Sequence, residues 1–323
     1  MGKLKVLVLG DGLLGSEIVK QTEWACISRK RHGFDITDNS TYHLMTKVEF
    51  GSIQYCPYDV ILNCIANTDT YSDNKDAHWD ANYKGVSHLI DFCNKWKVKL
   101  VHISTDYVYS NSDTEATEDT VPVHCNNWYG YTKLLGDGLV QLNSKNYLLC
   151  RCTHKPKPFP YDGAWIDQVG NFDYVPNIAK LIISMIVDDL YGLYNVGTET
   201  KTIYELASET RKVKKIYSPS HVPKNLSMNL TKLDENLNKP FFSIAIPAYE
   251  ANGRGVEFLE HSFNLFQNQT FTDFEVVVSD HSLNEDIKDL CDSWSDKLDI
   301  KYLKNFYRRG GSSPNINNAI KNS

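Results

Sequence analysis

The start of the chain constrains the fold more than any other stretch. Residues 5–9 form an apolar run, a glycine-rich turn follows at residues 10–15, and residues 16–20 have helical character. An unbroken apolar run is typical of a parallel strand buried on both faces. A strand, a Gly-x-Gly-x-x-Gly turn and a helix in this order place the helix N-terminus at a dinucleotide pyrophosphate. The sequence therefore predicts a nucleotide site whose phosphate-binding residues are Gly10, Gly12, Leu13, Leu14 and Gly15.

Strands and helices alternate after this turn. Strand patterns cover residues 25–28, 58–68, 99–104, 147–152 and 193–197, while helical patterns cover residues 78–96 and the stretch from about residue 129. Such alternation is typical of an α/β fold with right-handed crossovers. We therefore predict a Rossmann-type, doubly wound parallel sheet.

The end of the second predicted strand carries three cations, Arg29, Lys30 and Arg31. An acidic residue at this point would hold a ribose 2′-hydroxyl, whereas arginine suits a 2′-phosphate. The cluster favours NADP, with NAD as the alternative. Further cofactor contacts are predicted along the same strand ends, from Arg29, Asp35, Ile36, Cys64, Ile65 and Ala66, and the next residue, Asn67, is assigned to the substrate.

A tyrosine and a lysine lie four positions apart in the middle of the chain, at Tyr129 and Lys133. Residues at this spacing share one face of a helix. A lysine cation beside a phenol favours the phenolate and lowers the tyrosine pKa from about 10, which suits a proton donor. Thr105 follows the strand at residues 99–104, where ligands of open α/β sheets bind. We therefore take Thr105, Tyr129 and Lys133 as candidate catalytic residues.

Composition excludes several classes of protein. The formal net charge is −6 without a basic block, which argues against nucleic acid as a partner. No run reaches the roughly 18 apolar residues of a membrane helix. The eight cysteines show neither Cys-x-x-Cys nor histidine grouping, so we predict no zinc site, reduced thiols and a cytoplasmic location.

These residues resemble the extended short-chain dehydrogenase/reductases, and among them the dTDP-4-dehydrorhamnose reductases and related nucleotide-sugar enzymes. The resemblance runs in order over about residues 3–238. Its main pieces are Gly12–Gly15, residues 59–63, residues 104–109 and residues 129–133. The resemblance implies that Tyr129 donates a proton, Lys133 binds the nicotinamide ribose, and Thr105 hydrogen-bonds the substrate oxygen. The implied reaction passes a hydride from NADPH to the C4 ketone of a nucleotide-linked 4-keto-6-deoxysugar.

The chain departs from this family on the substrate side. His154 stands where the family has an aromatic residue that contacts the sugar, and the segment between His154 and Trp165 is short. Leu9 also replaces the first glycine of the family's turn. The implied substrate residues are Asn67, Thr105 and His154. Two alternatives remain open: an epimerase or dehydratase on the same fold, and a non-catalytic cofactor-binding regulatory or scaffold module.

A second strand–helix pattern begins after residue 238. It resembles the start of a family 2 glycosyltransferase with a GT-A fold, in which Pro247, Tyr249 and Asp280 would bind a nucleotide-sugar. The Asp-x-Asp that holds a divalent cation in that family is absent, so we predict no metal site and no independent transferase activity. The predicted domains are an NADP-binding domain at residues 1–238 and a truncated GT-A-like segment at residues 239–323. A homo-oligomer or a glycosyltransferase is the expected macromolecular partner.

Overall fold

The computed structural model describes residues 4–48, 54–110, 115–120, 127–237, 242–250, 254–272, 274–305 and 312–321. The chain divides into two compact units, residues 1–237 and 238–323. The predicted boundary at residues 238 and 239 lies outside the described residues.

The strands of the first unit are β1 (Val6–Leu9), β2 (Ala25–Ile27), β3 (Lys47–Val48), β4 (Gln54–Tyr55), β5 (Val60–Asn63), β6 (Lys99–Ser104), β7 (Tyr147–Arg151), β8 (His154–Lys155), β9 (Gly163–Trp165), β10 (Val169–Gly170), β11 (Asp173–Tyr174), β12 (Gly192–Asn195), β13 (Lys201–Thr202), β14 (Lys214–Ile216) and β15 (Asn225–Leu226). Its α-helices are α1 (Leu13–Thr22), α2 (Arg29–His32), α3 (Lys75–Trp79), α4 (Gly85–Trp96), α5 (Trp128–Asn143), α6 (Val175–Val187), α7 (Ile203–Ser208) and α8 (Thr231–Leu237). A π-helical turn at Asp80–Lys84 joins α3 to α4, and 3₁₀ segments occur at Asn39–Met45 and Asp106–Tyr109.

Six parallel strands form the central sheet, in the order β12-β7-β6-β5-β1-β2. Successive residues of β1 point to opposite faces, so Val6 and Val8 enter the core that includes α1 and α6, while Leu7 and Leu9 enter the core with α4 and α5. Both faces are therefore covered by helices, which explains the unbroken apolar run. The predicted doubly wound α/β fold is confirmed.

The strand order reverses direction at β1. From β1 the chain first adds β2 on one side and later β5 on the other, and ligands of open α/β sheets bind in the crevice at the carboxyl ends beside such a point. Gly10 follows β1, Cys64 follows β5 and Thr105 follows β6. The topology thus brings three distant stretches of sequence to one edge of the sheet.

Helix α5 is fixed at its start and in its middle. The Asn127 side chain caps it, because Asn127 Oδ1 accepts a hydrogen bond from the Gly130 N–H at 2.7 Å. Further along, Asp137 Oδ2 accepts from Arg151 Nε of β7 at 3.0 Å, with both side chains at most 3% exposed. Arg151 Nη1 also donates to the Tyr109 hydroxyl at 2.5 Å. This buried pair ties α5 to the sheet.

Small sheets complete the first unit. One pairs β3 with β4, and three others have the orders β13-β10-β15, β11-β8 and β14-β9. Phe172, Tyr174 and Leu206 belong to a separate apolar cluster beneath them. The strands of these three sheets lie beyond β7 in the sequence, on the predicted substrate side.

The second unit contains β16 (Phe242–Ala248), α9 (Arg254–Gln267), β17 (Phe274–Asp280), α10 (Asp286–Trp294), β18 (Ile300–Lys304) and α11 (Ser312–Lys321). Its strands are parallel in the order β16-β17-β18. Phe263, Val276 and Trp294 are among the residues of its core. In neither unit does a described helix combine the length and the apolar character needed to cross a membrane.

Candidate active site

The glycine turn packs tightly on one side and is open on the other. Gly10 has φ of 97°, a conformation that favours glycine, and a Cβ on Gly15 would lie 2.1 Å from the Gly10 carbonyl oxygen. A Cβ on Gly12, in contrast, meets no atom of the described chain within 4 Å. Gly12 is the N-cap of α1 and provides no side-chain cap. The first N–H groups of α1 therefore face an open space that suits a phosphate group.

Two cavities meet at this turn. One of about 640 Å³ lies over the ends of β1 and β2, and one of about 390 Å³ lies over the ends of β6 and β7. Gly12, Cys64 and Ala66 line both cavities, so together they form one groove. The larger cavity also contains the predicted residues Gly10, Arg29, Asp35, Ile36, Ile65 and Asn67, and the smaller one contains Leu13, Leu14, Thr105, Tyr129, Lys133 and His154. Gly15 lines neither cavity and instead supports the turn from behind.

Acidic residues accompany the basic cluster after β2. Arg29 Nη2 lies 3.2 Å from Asp35 Oδ2, and Arg31 Nε lies 3.2 Å from Asp11 Oδ2. The two arginine side chains are 83% and 69% exposed, so solvent weakens both pairs and leaves the guanidinium groups available to a ligand. Arg29 and Asp35 were both predicted as cofactor contacts, and the folded loop pairs them, so it offers both a cation and an acid to a ribose.

Tyr129 lies in the first turn of α5 and Thr105 at the end of β6. Burial raises the pKa of Tyr129, although an interaction with the Thr105 side chain lowers it in part. The Thr105 hydroxyl, only 2% exposed, also donates to Asp106 Oδ1 at 3.2 Å. The Tyr129 hydroxyl therefore carries its proton at neutral pH.

Lys133 is turned towards the sheet. Its Nζ donates to the Ile103 carbonyl at 2.6 Å and lies 3.3 Å from His102 Nε2. Burial lowers the pKa of Lys133 to about 8. The expectation that Lys133 lowers the pKa of Tyr129 is wrong for this arrangement, because desolvation of the phenol dominates and the lysine nitrogen contacts β6 instead.

The predicted substrate residues divide between the two cavities. His154, in β8, lines the cavity that contains Tyr129, and burial together with the neighbouring Lys155 lowers its pKa to about 4. Asn67 lines the other cavity, where its backbone N–H donates to Asn82 Oδ1 at 2.8 Å. Thr105 and His154 therefore line one cavity with Tyr129, whereas Asn67 lines the other.

Several residues around Tyr129 were not predicted as site residues. Lys155 lines the same cavity, and Asp106 beneath it is fully buried and accepts a hydrogen bond from Thr153 Oγ1 at 2.5 Å. The Tyr107 hydroxyl, at the rim, lies 3.0 Å from the Tyr71 hydroxyl. The only sequence signal for Thr153 and Lys155 was their position just after a buried parallel strand.

The predicted nucleotide residues of the second unit have different surroundings. Tyr249 is 56% exposed just after β16, which contains Pro247, whereas Asp280 at the end of β17 is fully buried. Asp280 Oδ2 accepts from the Tyr302 hydroxyl at 2.8 Å and from Lys304 Nζ at 3.0 Å. The prediction that Asp280 contacts a nucleotide is not supported by this geometry, because its carboxylate is already bonded within the unit.

Within the described residues no group of three or more His, Cys, Asp or Glu side chains could hold an ion.

The fold and the groove define a Rossmann-type α/β protein with a tyrosine and a lysine beside the nucleotide crevice. A family profile, RmlD substrate binding domain, matches residues 4–154. The spore coat polysaccharide biosynthesis protein SpsK of Bacillus subtilis is 27% identical over 183 residues, which cover 55% of this chain and 58% of that protein. The dTDP-4-dehydrorhamnose reductase of Mycolicibacterium smegmatis is 32% identical over 130 residues, or 38% of this chain and 36% of that protein.

Solved structures share the fold of the first unit. The dTDP-4-dehydrorhamnose reductase of Bacillus anthracis, crystallised with NADP, has a TM-score of 0.61 and 22% identity over 73% of this chain and 93% of that chain. The sequence matches to the two curated relatives span only 58% and 36% of their own length.

Proposed function

We propose that the first unit, residues 1–238, is an NADPH-dependent reductase of a nucleotide-linked 4-keto-6-deoxysugar, similar to dTDP-4-dehydrorhamnose reductase. One observation carries the proposal: the open glycine turn and the residues Thr105, Tyr129 and Lys133 line a single groove. The Mycolicibacterium smegmatis relative is a dTDP-4-dehydrorhamnose reductase, and the Bacillus anthracis structure is a reductase of the same name in complex with NADP.

The larger cavity fits the adenosine half of a dinucleotide. A side chain on Gly12 would project into the groove, so glycine leaves room for the pyrophosphate at the N-terminus of α1. Arg29 suits a 2′-phosphate and Asp35 a 2′-hydroxyl, which favours NADP and keeps NAD as a second cofactor. When bound, the cofactor supplies the hydride.

The smaller cavity provides the polar groups for the ketone. The Thr105 hydroxyl positions the substrate oxygen, and Tyr129 donates the proton that makes this oxygen a hydroxyl. The raised pKa of Tyr129 keeps the donor protonated before reaction. Lys133 binds the nicotinamide ribose, for which its nitrogen moves away from the Ile103 carbonyl. His154 and Lys155 give the sugar end of the cavity a polar wall.

For residues 239–323 we propose a nucleotide-binding unit similar to the start of a GT-A glycosyltransferase, without transferase activity of its own. The parallel order β16-β17-β18 supports it, since Tyr249 then follows β16 and Asp280 ends the neighbouring strand β17. The exposed side chain of Tyr249 contacts the nucleotide, and Asp280 stabilises the unit through its hydrogen bonds from Tyr302 and Lys304.

The test is NADPH oxidation, followed by absorbance, with dTDP- and UDP-linked 4-keto-6-deoxysugars. We expect turnover that Tyr129→Phe lowers at least about a hundredfold and that Tyr131→Phe, two residues along the same helix, retains. An unaltered rate in Tyr129→Phe contradicts the assigned proton donor. Tightly retained oxidised cofactor without net oxidation indicates an epimerase or dehydratase, and binding without any turnover indicates a non-catalytic module.

A further inference from the structure

A buried chain of polar side chains runs beneath the groove. The Asn63 side chain lies 3.1 Å from His102 Nδ1, and His102 Nε2 lies 3.3 Å from Lys133 Nζ. Asn63, His102 and Lys133 are 1%, 0% and 2% exposed. Because solvent has so little access, the hydrogen-bond partners of these three side chains determine which of their atoms carry protons.

A hydrogen bond from the backbone determines which side chain donates at each step of this series. Asn63 Oδ1 accepts a hydrogen bond from the Ile65 N–H at 3.0 Å, which turns Asn63 Nδ2 towards His102 Nδ1. An amide nitrogen only donates, so His102 Nδ1 has to accept. The proton of a neutral His102 ring is then on Nε2 and points at Lys133 Nζ. An ammonium group cannot accept this hydrogen bond, whereas an uncharged amine can.

We propose that His102 is a positioning residue: held by Asn63 with its proton on Nε2, it disfavours an ammonium group at Lys133, donates to the uncharged amine form, and holds that nitrogen against the Ile103 carbonyl in the ligand-free protein. The assignment of the tautomer is independent of the reaction, and only its importance for catalysis rests on the proposed function of Lys133.

The charges around Lys133 agree with this arrangement. Burial lowers the pKa of Lys133, while Asp137 on the same helix and the thiols Cys152 and Cys64 on the strand ends oppose that shift. Asp137 is engaged by Arg151, and Tyr129, one turn before Lys133, keeps its proton. Burial and the nearby lysine also hold the pKa of His102 well below its usual range, so the ring is neutral.

The arrangement disfavours the charged form of Lys133. The lysine cation that a tyrosine proton donor needs finds no acceptor at His102 Nε2, and it loses this unfavourable contact when the ammonium group moves away from the ring. Reversing the tautomer would remove this restraint. In Asn63→Asp a carboxylate faces His102 Nδ1, so Nδ1 must carry the proton of the ring. His102 Nε2 then becomes an acceptor for the ammonium group of Lys133.

The experiment is ¹⁵N NMR of the histidine rings in the full, ligand-free chain, with His102 assigned through the Ile103 amide. We expect His102 to be neutral at pH 7 with its proton on Nε2, and to carry the proton on Nδ1 in Asn63→Asp. The pKa of Lys133, followed at the ¹³Cε signal that Lys133→Met removes, should rise by about one unit in Asn63→Asp. Asn264→Asp, which adds the same charge on the exposed face of α9, should change neither signal.

A wild-type His102 that carries its proton on Nδ1, or on both nitrogens at pH 7, overturns the proposal. If Asn63→Asp does not fold, the wild-type tautomer alone decides. NADPH oxidation by a protein whose His102 lacks the Nε2 tautomer would count against the role of His102 and leave the proposed reaction standing. The Nε2 tautomer in a protein without reductase activity would support the role of His102 and count against the proposed reaction.

Discussion

Three glycine substitutions separate the roles that the turn combines. A Cβ on Gly15 would lie 2.1 Å from the Gly10 oxygen, whereas ordinary contact begins near 3.4 Å, so α1 and β1 would have to part by roughly 1.3 Å. Overpacking of this kind costs about 1–3 kcal/mol. We expect Gly15→Ala to lower the free energy of unfolding by that amount and to weaken NADPH binding as α1 shifts.

Gly12→Ala should separate binding from folding. Its backbone is extended and its Cβ enters open space, so we expect stability close to wild type. The added methyl occupies the groove where both cavities meet, so NADPH affinity should fall about tenfold or more, a loss of about 1.4 kcal/mol. Gly138→Ala is the matched control: it lies within α5, meets nothing within 4 Å among the described atoms, and should gain about 0.5–1 kcal/mol.

The assays are urea unfolding and calorimetric titration with NADPH on all three variants. The reasoning predicts a loss of stability in Gly15→Ala, a loss of binding alone in Gly12→Ala, and neither loss in Gly138→Ala. Wild-type affinity in Gly12→Ala would refute the placement of the pyrophosphate. Wild-type stability in Gly15→Ala would refute the tight packing of the turn.

Three further predictions concern buried charges. The lowered pKa of Lys133 means that the folded chain binds fewer protons than the unfolded chain between about pH 8 and 10.5. The free energy of unfolding should therefore rise by up to about 1.4 kcal/mol per pH unit in this range. Urea unfolding at several pH values should show this rise in the wild type and not in Lys133→Met. Asp137→Ala leaves Arg151 charged and unpaired in the core and should cost about 3–5 kcal/mol, whereas the exposed Asp234→Ala should cost little in the same assay. Asp280→Asn weakens the bond to Lys304 and should lower the melting transition of the second unit, measured by calorimetry, while the transition of the first unit keeps its temperature.

The sequence predicted the fold because periodicity and glycine position are local signals. The apolar run at β1 and the spacing of Gly10, Gly12 and Gly15 were sufficient to place the crevice, and helical spacing placed Tyr129 and Lys133 on one helix. Each of these features depends on a few neighbouring residues. They were predicted correctly because tertiary packing reinforced them.

Local patterns could not predict the contacts between elements that are distant in the sequence. The direction of the Lys133 side chain depends on β6, because the Ile103 carbonyl and the His102 ring lie within its reach. The acids beside Arg29 and Arg31 come from a loop and from the glycine turn. Asp280 is buried because Tyr302 and Lys304 of the next strand enclose it. Burial and desolvation, which no local pattern records, decide these cases.

The central claim is that Tyr129 and Lys133 serve a hydride transfer to the sugar. The most direct measurement uses NADPH deuterated at both C4 positions with a dTDP-linked 4-keto-6-deoxysugar, and locates deuterium in the product by NMR. The account predicts one deuterium on C4 of the sugar for each NADPH consumed, and a transfer at least about a hundredfold slower with Tyr129→Phe. Product without deuterium at C4, or deuterium transfer that Tyr129→Phe leaves at the wild-type rate, would contradict it.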